Sequence, residues 1–143
     1  DLEAELKGRR PGLTLRTHFL KVRGTAGSSL LEERRMEGPE PDWAALGASP
    51  LLVLDDLWDS GKTLSAARDL VLARTGRRPK SAVLVRKLVP RADGPDFFGL
   101  ALDLDPETLA ARGLKDLWLF GYGMDLDGRH RELDHIAALE IKA

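Results

Sequence analysis

The spacing of apolar residues changes along the chain, and each change predicts an element. Leu51 to Leu54 is an unbroken apolar run leading into Asp55-Asp56-Leu57-Trp58-Asp59 and then Ser60-Gly61-Lys62-Thr63. Such a run ahead of a glycine-containing turn predicts a buried parallel strand. Thr63 to Arg74 carries apolar residues at roughly helical spacing, closed by Gly76-Arg77-Arg78-Pro79, and predicts a helix. Ser81 to Val85 predicts a second buried strand with Arg86 and Lys87 at its carboxyl end, and Asp96 to Leu102 a third. Asp105-Pro106-Glu107 starts a short helix by cap chemistry, and Gly113 ends it. Leu117 to Phe120 is a fourth strand, Gly121 to Asp125 a tight turn, and Ile136 to Ile141 an edge strand after the polar run Asp127 to Glu132.

The amino-terminal third is less regular. Leu2 to Leu6 predicts the end of a helix, stopped by Gly8 and Pro11-Gly12. Leu13 to Val22 alternates and predicts a strand, with His18 as a structural residue near its middle. Arg23 to Ser29 has the small-residue composition of a mobile loop, and Leu30 to Met36 predicts a strand returning from it. Asp42 caps a short helix through Trp43 to Leu46, with Trp43 expected in a core or interface.

The stretch Val53 to Leu64 carries the chemistry. Backbone N–H groups of Ser60, Gly61, Lys62 and Thr63, with the two hydroxyls, can surround a phosphate at the positive end of the following helix. Asp55 and Asp56, too acidic to touch phosphate, suit either sugar hydroxyls or Mg2+. A Walker A loop is excluded, because its first glycine would fall at position 56, which is Asp56. The plainer alternative has Asp59 and Ser60 capping a helix and the acid pair in a solvated loop.

Composition narrows the function classes. With 143 residues the chain is expected to form a single domain, and 22 basic against 23 acidic residues leave a net charge of -1. That balance gives no whole-chain attraction for nucleic acid or acidic membranes. There is no cysteine for a disulfide or thiolate metal site. No long apolar span or signal-like start is present, so a cytoplasmic protein is expected. The chain begins at Asp1 without methionine, so the domain is expected to be amino-terminally incomplete.

Leu51 to Thr63 closely resembles the ribose-phosphate motif of type I phosphoribosyltransferases: apolar residues, two acids, two apolar residues, then Asp-[Ser/Thr]-Gly-x-Thr. Leu117 to Leu139 resembles the segment of the hypoxanthine-guanine (6-oxopurine) branch with an aromatic residue, two apolar residues, Gly-Tyr, a small residue, an apolar residue and Asp before Arg-x-Leu. The resemblance runs from about His18 to the end, interrupted by Asp103 to Lys115. It implies an α/β, Rossmann-like phosphoribosyltransferase core with a mainly parallel central sheet flanked by helices, here without its amino-terminal strand.

The resemblance also implies a reaction, in which phosphoribosyl pyrophosphate transfers phosphoribose to a purine base and releases pyrophosphate, with Mg2+ as cofactor. It implies Asp59 as the catalytic residue near purine N7, Ser60, Gly61, Lys62 and Thr63 around the 5-phosphate, and Asp55 and Asp56 on the ribose hydroxyls. Lys87 would donate to the exocyclic 6-oxygen, Trp118 would stack on the base, and Leu119 would offer backbone groups to its edge. Asp125 would ligate Mg2+, and Arg131 would contact pyrophosphate. A homodimer or higher homo-oligomer is implied as well.

Two features depart from the pattern. Leu6-Lys7-Gly8 has the letters of the family's pyrophosphate loop but follows a helical pattern. Gly24-Thr25 stands where purine-salvage members carry Ser-Tyr in the lid, and the chain's one tyrosine is Tyr122. A second reading therefore stands beside the enzyme: a non-catalytic relative that binds phosphoribosyl pyrophosphate or a nucleotide in a regulatory role.

Overall fold

The computed structural model describes residues 2–23, 35–37, 40–88 and 94–143. The chain divides into two compact units, Asp1–Ala45 and Leu46–Ala143.

In the first unit, helix α1 (Leu2–Arg9) buries no residue and carries two exposed ion pairs one turn apart, Lys7 to Glu3 and Arg9 to Glu5, each at 2.7 Å. Pairs of this kind add only a few tenths of a kcal/mol to a helix. Leu6-Lys7-Gly8 lies inside α1, in keeping with its helical pattern. Strands β1 (Lys21–Arg23) and β2 (Arg35–Glu37) pair antiparallel, Lys21 opposite Glu37.

The strand expected over Leu13 to Val22 is realised only from Lys21 onward. Among the described residues, the stretch from Leu13 to Leu20 pairs with no strand. His18 accordingly sits in irregular, exposed chain rather than in a strand. Asp42 caps as expected: its Oδ1 accepts from the N–H groups of Ala44 and Ala45 at 3.1 Å, opening a 3-10 turn, Ala44–Leu46. Trp43 donates its indole N–H to Glu40 at 2.8 Å. Of the loop expected from Arg23 to Ser29, Arg23 ends β1; residues 24–29, and residues 30–34 of the returning strand, lie outside the described residues.

The second unit begins with β3 (Leu52–Trp58), α2 (Lys62–Thr75), β4 (Lys80–Leu88) and β5 (Phe97–Asp103). The three strands form a parallel sheet in the order β3-β4-β5, the α/β arrangement that the apolar runs predict. Parallel neighbours need a crossover, and α2 supplies the one between β3 and β4. It ends at Gly76, whose left-handed backbone (φ 67°) lets its N–H reach the Leu72 carbonyl at 2.8 Å. Then come α3 (Pro106–Ala111), β6 (Leu114–Phe120) and β7 (Ala137–Lys142), the last two an antiparallel pair. Asp105 caps α3 by accepting from Glu107 and Thr108.

Among the described residues, three apolar clusters hold this unit. Leu64 of α2 packs with Trp58, Val83 and Val53. Val85 packs with Leu119 and Met124, and Leu104 with Leu109, Leu114 and Leu117. The run Leu51 to Leu54, expected to be buried, is covered on one face only: Leu51 and Val53 are partly buried, whereas Leu52 is 47% and Leu54 53% exposed. Strand side chains alternate between faces, and α2 covers the face that carries Val53 and Val83. Among the described residues no helix is long and apolar enough to cross a membrane.

Asp96 pins the start of β5 to β4. Its carboxylate accepts from the Ser81 N–H and hydroxyl at 2.8 and 2.9 Å, and from Lys80 at 2.7 Å. Ser81 is fully buried. The Lys80 ammonium first, then the Ser81 donors, hold the Asp96 carboxyl down at about 2. A depressed carboxylate contributes stability above its ordinary range, near 3.8, and loses it as pH falls through 2. Asp96→Ala is expected to cost about 1–3 kcal/mol at neutral pH by stranding two buried donors, and the deficit should shrink toward pH 2. Urea unfolding of both proteins between pH 2 and 7 measures it.

Candidate functional site

The loop after β3 rests on an aromatic floor. Trp58, the last residue of β3, is 2% exposed and packs on Leu64 and Val83. Gly61 crosses directly over it with φ 71°, and a Cβ there would lie 2.5 Å from the indole ring. Position 61 thus excludes side chains twice, by its left-handed backbone and by contact. Gly61 is also the N-cap of α2 and has no side-chain cap; the first intrahelical bond runs from Ser65 N–H to its carbonyl at 3.0 Å. The N-cap position thus falls on Gly61 rather than on Asp59 or Ser60. The loop therefore delivers Ser60 to Thr63 at the positive end of a fourteen-residue helix.

A cleft opens at the carboxyl ends of β3 and β4, where open α/β sheets place their ligands. It is lined by Asp56, Leu57, Asp59, Lys87, Trp118, Leu119, Met124 and Asp125. Six of the residues singled out in the sequence thus meet on one surface; Leu57 and Met124 complete it. Asp55 does not line it. It pairs with Val83 on the face opposite Asp56, and its carboxylate accepts the Asp56 N–H at 3.1 Å. Burial first, and the charge of Asp56 second, push the Asp55 carboxyl up to about 6.

Lys87 is the charged centre of the cleft. It is only 4% exposed, and its Nζ lies 3.1 Å from Asp116 and 3.5 Å from Asp59. A buried ammonium without partners would cost several kcal/mol, so this pairing is a condition of folding as well as of chemistry. Asp116 was not expected from the sequence. No local motif marks it; its place follows from how β6 pairs with β7.

Beyond β6, the chain folds back on itself. Gly121 and Met124 bridge each other, the N–H of Tyr122 donates to Leu133 and that of Gly123 to Arg131. A Cβ on Gly121 would collide with the His135 carbonyl. The Trp118 indole N–H donates to the Asp125 carbonyl at 3.2 Å, which fixes a half-exposed ring beside the cleft. The Asp125 carboxylate accepts from Arg131 and from the Gly128 N–H, and Arg131 also donates to the Gly123 carbonyl at 2.7 Å. Arg131 thus stands one residue behind the cleft lining, paired with Asp125.

Among the described residues no group of three or more His, Cys, Asp or Glu side chains could hold a metal alone. Three carboxylates line the same cleft, Asp59 beside Lys87 and the pair Asp56 and Asp125. That donor set fits Mg2+, which commonly takes one or two carboxylates together with substrate phosphates rather than an all-protein cage.

No protein-family model matches the chain. It is 24% identical over 123 residues to the hypoxanthine-guanine phosphoribosyltransferase of Pan troglodytes, covering 85% of this chain and 50% of that protein. It is 28% identical over 100 residues to the Homo sapiens protein of the same name, covering 68% of this chain and 40% of that protein. A solved hypoxanthine phosphoribosyltransferase of Trypanosoma cruzi, complexed with the product IMP, superposes with a TM-score of 0.63 at 21% identity, over 90% of this chain and 59% of that one. That likeness establishes the fold. Over most of its length the chain is homologous to hypoxanthine-guanine phosphoribosyltransferases of the type I family, and it spans half or less of the length of these two curated relatives.

Two outcomes follow from the site's geometry. Gly61→Ala and Gly76→Ala both place a methyl group on a left-handed backbone, but only position 61 meets an aromatic ring. Gly61→Ala should therefore cost about 1–3 kcal/mol more than Gly76→Ala in urea unfolding, the usual size of an overpacking penalty. The raised Asp55 carboxyl makes stability fall as pH rises from about 4 through 6, because the folded state then holds a proton that the unfolded state releases. Asp55→Asn should remove that decline, read from unfolding midpoints at pH 4, 5, 6 and 7.

Proposed function

From this homology, we propose that the chain carries the nucleotide-forming site of a phosphoribosyltransferase that joins a 6-oxopurine, hypoxanthine or guanine, to phosphoribosyl pyrophosphate and releases pyrophosphate. One observation carries the reading: Asp59, Lys87, Trp118 and Asp125, far apart in sequence, line one cleft beside a helix-start phosphate loop. Each matches a distinct part of such a substrate.

The 5-phosphate sits on Ser60 to Thr63, where backbone N–H groups and the helix dipole favour an anion. The loop's aromatic floor keeps that backbone close to the ligand. Asp56 accepts the ribose hydroxyls, neutral donors suited to an acceptor-only carboxylate; Asp55 lies on the opposite face of β3. Trp118 stacks on the base, and its N–H bond to Asp125 holds the ring in plane. Leu119 offers backbone groups to the purine edge, and Lys87 donates to the 6-oxygen.

Bond exchange at C1 of the sugar passes through a transition state with positive charge on the ribose ring. Carboxylates beside that charge stabilise it electrostatically. Asp59 holds or moves the proton at purine N7, within reach of the general acid and base work that carboxylates do. Asp125 is the residue that would hold Mg2+, which would supply positive charge to the departing pyrophosphate. Arg131 adds a fixed cation on the pyrophosphate side.

A second reading is binding without turnover. It is favoured by the helical state of Leu6-Lys7-Gly8, with Lys7 tied to Glu3, which leaves that segment in no pyrophosphate-binding form. Incubation with Mg2+, phosphoribosyl pyrophosphate and each of hypoxanthine, guanine, xanthine, adenine and uracil decides between the two. Nucleotide should form with the oxopurines; nucleotide binding with no product from any base would establish the second reading instead. Asp59→Asn is expected to lower turnover by about 10²–10⁴-fold while leaving nucleotide affinity in place, measured by product formation and calorimetry.

A further inference from the structure

Lys87 faces two carboxylates, and only one of them belongs to the cleft. Asp59 lines it, 3.5 Å from the ammonium, whereas Asp116 is hydrogen-bonded to the same nitrogen at 3.1 Å and is not among the lining residues. A break in β6 puts it there. The β6–β7 register slips between Leu114 and Asp116, so Lys115 is the extra residue of a bulge. Bulges re-aim side chains, often beside active sites. Leu114 is buried before the slip, Leu117 and Leu119 after it, and Asp116 stands at the step. Its Oδ1 also accepts the Leu117 N–H at 2.7 Å, which sets the direction of the carboxylate.

The two carboxylates have different duties under the function proposed above, on which this inference rests. Asp59 exchanges a proton with the base, and when protonated it no longer balances the buried ammonium. Asp116 lies outside that exchange. We propose that Asp116 is a positioning residue that holds the Lys87 ammonium balanced and aimed at ring position 6 whatever the state of Asp59. It thereby sets the preference for a base with a carbonyl there over one with an amino group. An ammonium offers donors only, so a carbonyl oxygen satisfies it, while an amino group meets it donor to donor.

Calorimetric binding of IMP and AMP tests this, because the two share ribose 5-phosphate and differ at the part of the ring that Lys87 faces. The wild type should bind IMP more tightly. Asp116→Asn should weaken IMP on the order of tenfold, about the worth of a hydrogen bond to a charged group, and leave AMP unchanged. Asp116→Glu should restore most of the preference. A merely structural role would weaken both nucleotides alike, and that result, or a wild-type ratio surviving in Asp116→Asn, overturns the assignment alone. A wild type that binds neither nucleotide, or both equally, overturns the functional reading and this assignment with it.

Discussion

A positive charge inside a protein must be answered where it sits, and in this chain the answer organises the site. The Lys87 ammonium comes from the carboxyl end of a parallel strand, its partners from the loop after β3 and from the bulge of β6. Apolar packing beside the site holds these elements, Val85 with Leu119 and Met124, and Trp58 with Leu64 and Val83. The cleft is therefore no gap left between elements. It lies where three of them are drawn together, because separating them would leave the ammonium without compensation.

The two halves of the cleft are built by different means. The proposed phosphate side is local: a strand, a turn and a helix start, adjacent in sequence, with Trp58 beneath the turn. The proposed base side is assembled from β4, β6 and the folded-back loop that ends in Asp125 and Arg131. The Trp118 bond to the Asp125 carbonyl and the Arg131 bond to the Asp125 carboxylate make one chain of contacts from the base platform to the proposed pyrophosphate side.

That division explains what could be read from sequence. The strand, loop and helix around Val53 to Leu64 were legible because their apolar spacing and cap chemistry act within a few residues. Lys87, Trp118 and Asp125 were reached through the resemblance, and all three do line the cleft. The partner of Gly61 was not legible, since nothing in the letters says that a left-handed glycine lies across an indole three residues earlier. Asp116 escaped for a stronger reason: its direction depends on a register set by β7, more than twenty residues away. The strand expected over Leu13 to Val22 depends on a partner in the same way, and only from Lys21 onward does it have one among the described residues. The alternation of Asp55 and Asp56 was implicit in any strand assignment, yet the resemblance treated them as a pair.

Chain length is usually the most forgiving variable in a protein, and surface connections absorb insertions cheaply. The bulge at Lys115 makes an exception of one position in β6. The step from Leu114 to Leu117 is three residues, which in an unbroken strand would put the two on opposite faces; the bulge lets both, with Leu119, face the apolar interior while Trp118 faces the cleft. Closing the bulge with every residue kept would turn Leu117 and Leu119 away from the face that Leu114 occupies and bring Trp118 onto it. The count of residues from Asp116, which pairs with Lys87, to Asp125 in the cleft is thus part of the site.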